Sequence, residues 1–175
     1  MMTMTSSNST IVRTLIALGT ALVLGALGHA IRAKEHIKRD GELVYLELAP
    51  VDPRSLIQGD YMALRFALAR ELQGRNDAAG RALREGEVAV APVALDEQRI
   101  ARLAPGGIAP DGTAPALTLR YRIRNGQVWL GTNAFFFEEG TADRYNGARY
   151  GEFRLDRTTG EAVLVGLRGP KLESM

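Results

Sequence analysis

The order of apolar and polar residues divides the chain into two parts of different character. From Ile11 to Ile31 the sequence IVRTLIALGTALVLGALGHAI is interrupted by ionisable side chains only at Arg13 and His29. Wound as an α-helix, this run is about 30 Å long, the thickness of the hydrocarbon core of a bilayer. Between Leu15 and Leu27 it has no polar face, unlike an amphipathic helix lying on a soluble core. The pattern predicts a disordered tail over residues 1–10, a transmembrane anchor helix over 11–31 and a juxtamembrane helical extension over 32–40. Residues 41–175 read as one soluble domain.

Within that domain the pattern is mostly that of strands. GELVYLELA (41–49) is a strand candidate, and Asp52-Pro53-Arg54-Ser55 reads as a single helical turn with Asp as N-cap and Pro at the first helical position. YMALRFALAREL (61–72) begins as a strand and finishes as a short helix, and residues 73–86 read as a polar loop with some helix. Glu87 to Leu95 predicts another strand, in which Pro92 suggests a sheet edge or a bulge. Residues 104–115 form a Gly/Pro-rich loop. Leu117, Leu119, Tyr121 and Ile123 then alternate with Thr118, Arg120, Arg122 and Arg124, the period-two mark of a half-buried strand. Asn125-Gly126 signals a tight hairpin into the partner strand QVWLGTNAFFF, and a second hairpin joins Tyr150–Leu155 to Ala162–Leu167 around DRTTG. The expected fold is mainly β (α+β): a transmembrane helix followed by a small antiparallel β-sheet or barrel-like domain.

Composition narrows the chemistry. The formal charge is +2, too small for a nucleic-acid partner, which needs a lopsided basic surface. There are no cysteines, the histidines are His29 and His36, and the lysines are Lys34, Lys38 and Lys171. From residue 39 to 170 the chain therefore has no His, Lys or Cys, and its one serine there is Ser55. Serine and cysteine triads, Schiff-base lysines and histidine-built zinc sites are unavailable in that stretch. No catalytic residue, metal site or cofactor is expected. A signal-peptidase-like reading of Pro53-x-x-Leu56-x-x-Gly59-Asp60 fails, because Ala49, Pro50 and Val51 stand where the nucleophilic serine would be.

The apolar helix carries its own information. Ala17, Ala21, Gly25 and His29 recur every four residues, a small-residue face that lets a second membrane helix approach closely. Gly28 and Ala30 also match a small-x-small cleavage site, so a removed leader is the competing reading. Arg32, Lys34, Lys38 and Arg39 make the C-terminal flank the more basic one, which on the positive-inside rule holds the domain in the cytoplasm. A signal-anchor with a short N-terminal tail more commonly exports the domain on its C-terminal side. The orientation adopted is a single-pass protein of a bacterial inner membrane with its domain in the periplasm.

The segment Gly59-Asp60-Tyr61-Met62-Ala63-Leu64-Arg65-Phe66 resembles the signature of the GDYXXLXY family, with Phe66 in place of the usual final Tyr. The resemblance continues through FFFEEGTADRYNGARYGEFRLDRTTGEAVLVGLRGPKL. It implies a small bacterial membrane-associated protein, often found with multi-spanning membrane proteins, and it supplies no catalytic residues. The family-motif positions are Gly59, Asp60, Tyr61, Leu64 and Phe66. In a strand, Asp60, Met62, Leu64, Phe66 and Leu68 project to one face, which leaves Asp60 at the mouth of a core-facing row in need of donors. Arg149, beside Tyr150 and Glu152, is the expected partner; a turn in which Asp60 accepts backbone N–H bonds is the plainer alternative.

Glu138, Glu139, Arg149, Tyr150 and Glu152 form a second polar concentration, read as binding or salt-bridge residues. Glu138 and Glu139 would face opposite sides of a strand, so they cannot both address one bond. The leading expectation is a membrane-anchored, non-catalytic envelope protein, an accessory subunit of a multi-spanning membrane protein, with the bilayer as its other partner. The alternatives are a carboxylate-based hydrolase of a cell-envelope polymer, built on Asp60, Glu138 and Glu152, and an anionic-lipid or polysaccharide-binding module using the Arg120, Arg122, Arg124 stripe.

Overall fold

The computed structural model describes residues 6–49, 57–58, 61–81, 84–104 and 117–175. The chain divides into two compact units, Met1–His36 and Ile37–Met175. The described residues of the first unit belong to α1 (Ser6–Asp40), one uninterrupted helix of 35 residues. Residues 6–10, which the apolar pattern assigns to a tail, are helical, because Ser, Asn and Thr tolerate a helix that the apolar run propagates backwards. The expected extension over 32–40 is part of the same helix. Leu15, Ile16, Leu18, Leu22, Val23 and Leu24 are 62–70% exposed. The helix is long and apolar enough to cross a membrane.

The second unit is built from antiparallel sheets. β1 (Glu42–Glu47) pairs with β9 (Tyr150–Leu155), which pairs with β10 (Ala162–Arg168). β2 (Ile57–Gln58), β3 (Tyr61–Ala63) and β8 (Ala134–Phe136) form a second sheet. The third is ordered β5-β4-β6-β7, with β4 at Val88–Leu95, β5 at Ala101–Leu103, β6 at Leu117–Arg124 and β7 at Gln127–Trp129. One helix, α2 (Ala67–Ala78), packs on this unit through Leu68 and Leu72.

Hydrogen bonds stitch the sheets into a barrel-like wall around one core. The Tyr45 amide donates to the Arg99 carbonyl, Leu48 to Arg149, Ala49 to Arg65, Leu64 to Asn133, and Arg120 to Gly160. Inside lie Val44, Leu46, Val93, Leu119, Ile123, Leu130, Phe153 and Leu155, all nearly inaccessible to solvent. The strict alternation along β6 is the source of this: Leu119, Tyr121 and Ile123 are buried while Arg122 and Arg124 are exposed. The expected mainly β (α+β) fold is the one observed.

Local chemistry accounts for the details. Asn125 and Gly126 adopt φ of 51° and 68°, the primed turn that their dipeptide favours. Asp156 Oδ1 accepts the amides of Thr158 and Thr159 at 2.7 and 3.0 Å, which folds the DRTTG turn. The helix after the motif runs to Ala78, which supplies the helical part expected within 73–86. Two expectations change. Pro92 lies on an interior strand; it accepts the Ala104 amide but has no N–H to return, and the β4–β5 ladder begins at Val93. The single expected partner strand 127–137 is split: Gly131, at φ 63°, turns the chain so that β7 stays with β6 while β8 joins β3. The helical turn expected at Asp52–Ser55, and the loop over 105–115, lie outside the described residues.

Candidate functional site

The motif strand is a structural junction. Met62, Leu64 and Phe66 are each 2% exposed, as the period-two reading of this segment requires. Phe66 meets Phe153 edge-on, with ring centroids 5.4 Å apart. Tyr61, on the other face, packs against Phe136 at 5.8 Å. The Leu64 amide donates to Asn133, and the Arg65 carbonyl accepts from Ala49, so the motif ties the first sheet to the second. Gly59 and Asp60 lie outside the described residues. Leu64 and Phe66 thus act as core residues joining elements far apart in sequence.

Two of the expected polar residues, Arg149 and Glu152, enter ion pairs with other residues of the domain. Arg149 Nη2 donates to Glu47 Oε1 at 2.8 Å. Glu152 accepts from Arg168 Nε at 2.5 Å, and Arg168 Nη1 donates to Ser174 Oγ at 2.8 Å. The hydrogen bond to Glu152 raises the Arg168 pKa against the opposing effect of burial. Tyr150 is half-buried at the start of β9, opposite Glu47 and Arg168. Glu138 and Glu139 are exposed in the loop after β8, so the strand-alternation argument does not apply to them. Arg120 pairs with Glu161 at 3.2 Å, and Arg124 lies over the Trp129 ring at 5.3 Å. The arginine stripe is thus partly engaged by its own chain.

Glu152 and Arg168 sit in a groove of about 520 Å³ that also takes in Lys38, Phe135, Tyr145 and Arg154. Tyr145 stacks on Phe137 at 5.3 Å and meets Phe135 edge-on at 5.1 Å. The Glu152 carboxylate is thus engaged by its own chain as the ion-pair partner of Arg168. Among the described residues no group of three or more His, Cys, Asp or Glu side chains gathers as metal ligands.

Sequence reasoning did not single out Glu42, Glu47, Arg157 or Arg168. Glu42 accepts a hydrogen bond from Arg157 and lies 3.7 Å from Arg99. These partners are remote in sequence: the β1–β9 and β9–β10 pairings bring up Arg157 and Arg168, and Arg99 is held beside β1 by the hydrogen bond from the Tyr45 amide to its carbonyl.

The family model described as GDYXXLXY protein matches residues 23–167, and the chain belongs to that family. No curated protein and no solved structure matches it.

Proposed function

We propose that this member of the GDYXXLXY family is a membrane-anchored, non-catalytic protein of the bacterial envelope, serving as an accessory subunit of a multi-spanning membrane protein. In this reading α1 crosses the inner membrane once, the tail is N-terminal to it, and residues 41–175 form the periplasmic domain. The observation that carries the reading is the apolar surface of α1. Leucines and valines exposed on every side of a helix are unfavourable in water at roughly 25 cal/mol per Å² and are covered by lipid or by another helix.

The small-residue row supports a protein partner as well as lipid. Ala17, Ala21, Gly25 and His29 lie along one line of the continuous helix. A Cβ built at Gly25 meets nothing within 4 Å, so packing within this chain does not require glycine there. Enlarging this row should leave the chain intact and remove only the close approach of a neighbour. The ion-paired state of Glu152 favours this reading over a carboxylate hydrolase.

The test is affinity purification in mild detergent. A multi-spanning protein should co-purify with the wild-type chain and be lost from the Ala21→Leu, Gly25→Leu double variant. Equal recovery by both would overturn the role given to this helix face. Orientation is read separately with C-terminal reporters: an active alkaline phosphatase fusion is expected, and a fluorescent cytoplasmic reporter would reverse the assignment.

A further inference from the structure

A cleft of about 380 Å³ opens between α2, the motif strand and β7, a size typical of ligand-binding pockets. Leu64, Phe66 and Val128 supply its apolar lining, and Arg65, Arg70 and Gln73 line it with polar groups. Four features of these residues are unexplained by the fold alone.

The first is Gln73. Its Nε2 donates to Asp77 Oδ1 at 3.1 Å, which fixes the orientation of the amide, since the reverse would set two oxygens against each other. Gln73 Oε1 is then a buried acceptor with no partner among the described residues. Such a group carries a desolvation penalty until a donor reaches it. Asn76 Nδ2, one turn further along α2, is in the same condition.

The second is the edge of β7. Arg124 and Gln127 close the two-residue turn, Ile123 pairs with Val128, and Arg122 with Trp129. Ile123 directs its amide and carbonyl away from β7, to Glu87 and Gly86. In an antiparallel ladder its opposite number, Val128, therefore directs its own amide and carbonyl away from β6. No hydrogen bond joins these Val128 groups to another described residue. A main-chain donor and acceptor are thus left at a residue lining the cleft.

The third is Gly74, inside α2, where glycine costs a helix about 1 kcal/mol relative to alanine. A Cβ at Gly74 would meet nothing within 4 Å, so the chain's own packing gives no reason for its absence. Gly74 also lines the cleft. The fourth is charge. Arg65 and Arg70 are exposed and enter no ion pair with a described residue, while Asp77 is the one acid lining the cleft.

We propose that this cleft binds a short extended peptide segment bearing a carboxylate. The peptide main chain pairs with the amide and carbonyl of Val128, as in strand addition to a sheet edge, and one of its N–H groups reaches Gln73 Oε1. Its carboxylate meets Arg65 and Arg70, whose planar guanidinium groups suit carboxylates. Gly74 keeps the opening clear. The site does not depend on whether α1 crosses a bilayer.

The test uses the full chain in detergent micelles and fluorescein-labelled Ser-Val-Thr-Val-Glu, followed by anisotropy. Saturable binding is expected, weakened at least about tenfold when both carboxylates are replaced by amides. Removing them one at a time shows whether the terminal or the side-chain carboxylate is read. Methylating the central threonine amide of the probe should weaken binding comparably. Arg70→Glu and Gln73→Met should each raise the dissociation constant about tenfold, and Gly74→Leu should abolish binding. Gln73→Met should not lower the melting temperature, which separates loss of a ligand contact from loss of a structural one. The proposal is overturned if no probe saturates below about 5 mM, or if Arg70→Glu and Gln73→Met bind as tightly as wild type.

Discussion

Glu42 shows how single residues hold the β domain together. It stands at the start of β1, accepts a hydrogen bond from Arg157 beyond β9, and lies 3.7 Å from Arg99 ahead of β5. The Arg157 hydrogen bond holds its carboxyl below the ordinary value of 4.5, helped by the charges of Arg157 and Arg99 and opposed by burial. A depressed pKa means that the folded state favours the ionised form. The stabilisation is complete above the ordinary carboxylate value and is lost as pH falls through the lower folded value. Arg157 is 68% exposed, so solvent screening keeps the contribution small. Glu42→Gln should therefore be slightly less stable than wild type near neutral pH, with the two denaturation curves converging as pH falls below the ordinary carboxylate value. Curves that stay equally separated would contradict this account. Asn125-Gly126 and the Asp156 turn were legible in the sequence because their chemistry is local. The pairing of Arg149 with Glu47 was not, because the two are 102 residues apart in sequence and meet through strand register; Asp60, the partner expected from the sequence, lies outside the described residues.

At the scale of elements, β9 joins the two halves of the first sheet and faces the aromatic centre of the core. Gly151 makes this possible. A Cβ there would lie 2.8 Å from Phe153 Cε2, 3.0 Å from Phe66 Cε1 and 3.2 Å from Leu164 Cδ1. Gly151→Ala should force these rings apart at a cost of roughly 1–3 kcal/mol, measurable by urea denaturation. An unchanged midpoint would show that the Phe66–Phe153 pair is looser than its geometry implies. Elements with an unambiguous pattern, such as the alternation of β6 and the continuous apolar run of α1, follow directly from the sequence. The division of 127–137 into β7 and β8 does not, because Gly131 reads equally as a strand residue or as a turn until its φ is known. The motif was legible as a pattern; its role as a junction required knowing which strands Leu64 and Phe66 touch. Gln73 was hidden within a polar stretch that reads as loop.

At the scale of the whole molecule, the chain consists of an apolar helix and an Ile37–Met175 unit with its own core. The division was legible because 21 nearly uncharged residues from Ile11 to Ile31 have no counterpart elsewhere in the chain. Function was less legible, since residues 39–170 have no His, Lys or Cys, the side chains whose spacing most often reveals a reaction. Membrane insertion of α1 is the claim on which the proposed role rests, and it is tested by alkaline carbonate extraction of membranes from cells expressing the full chain. The wild-type chain should remain in the pellet, and Leu18→Lys with Leu22→Lys should move it to the supernatant. Release of the wild-type chain into the supernatant would contradict the anchor and the role built on it.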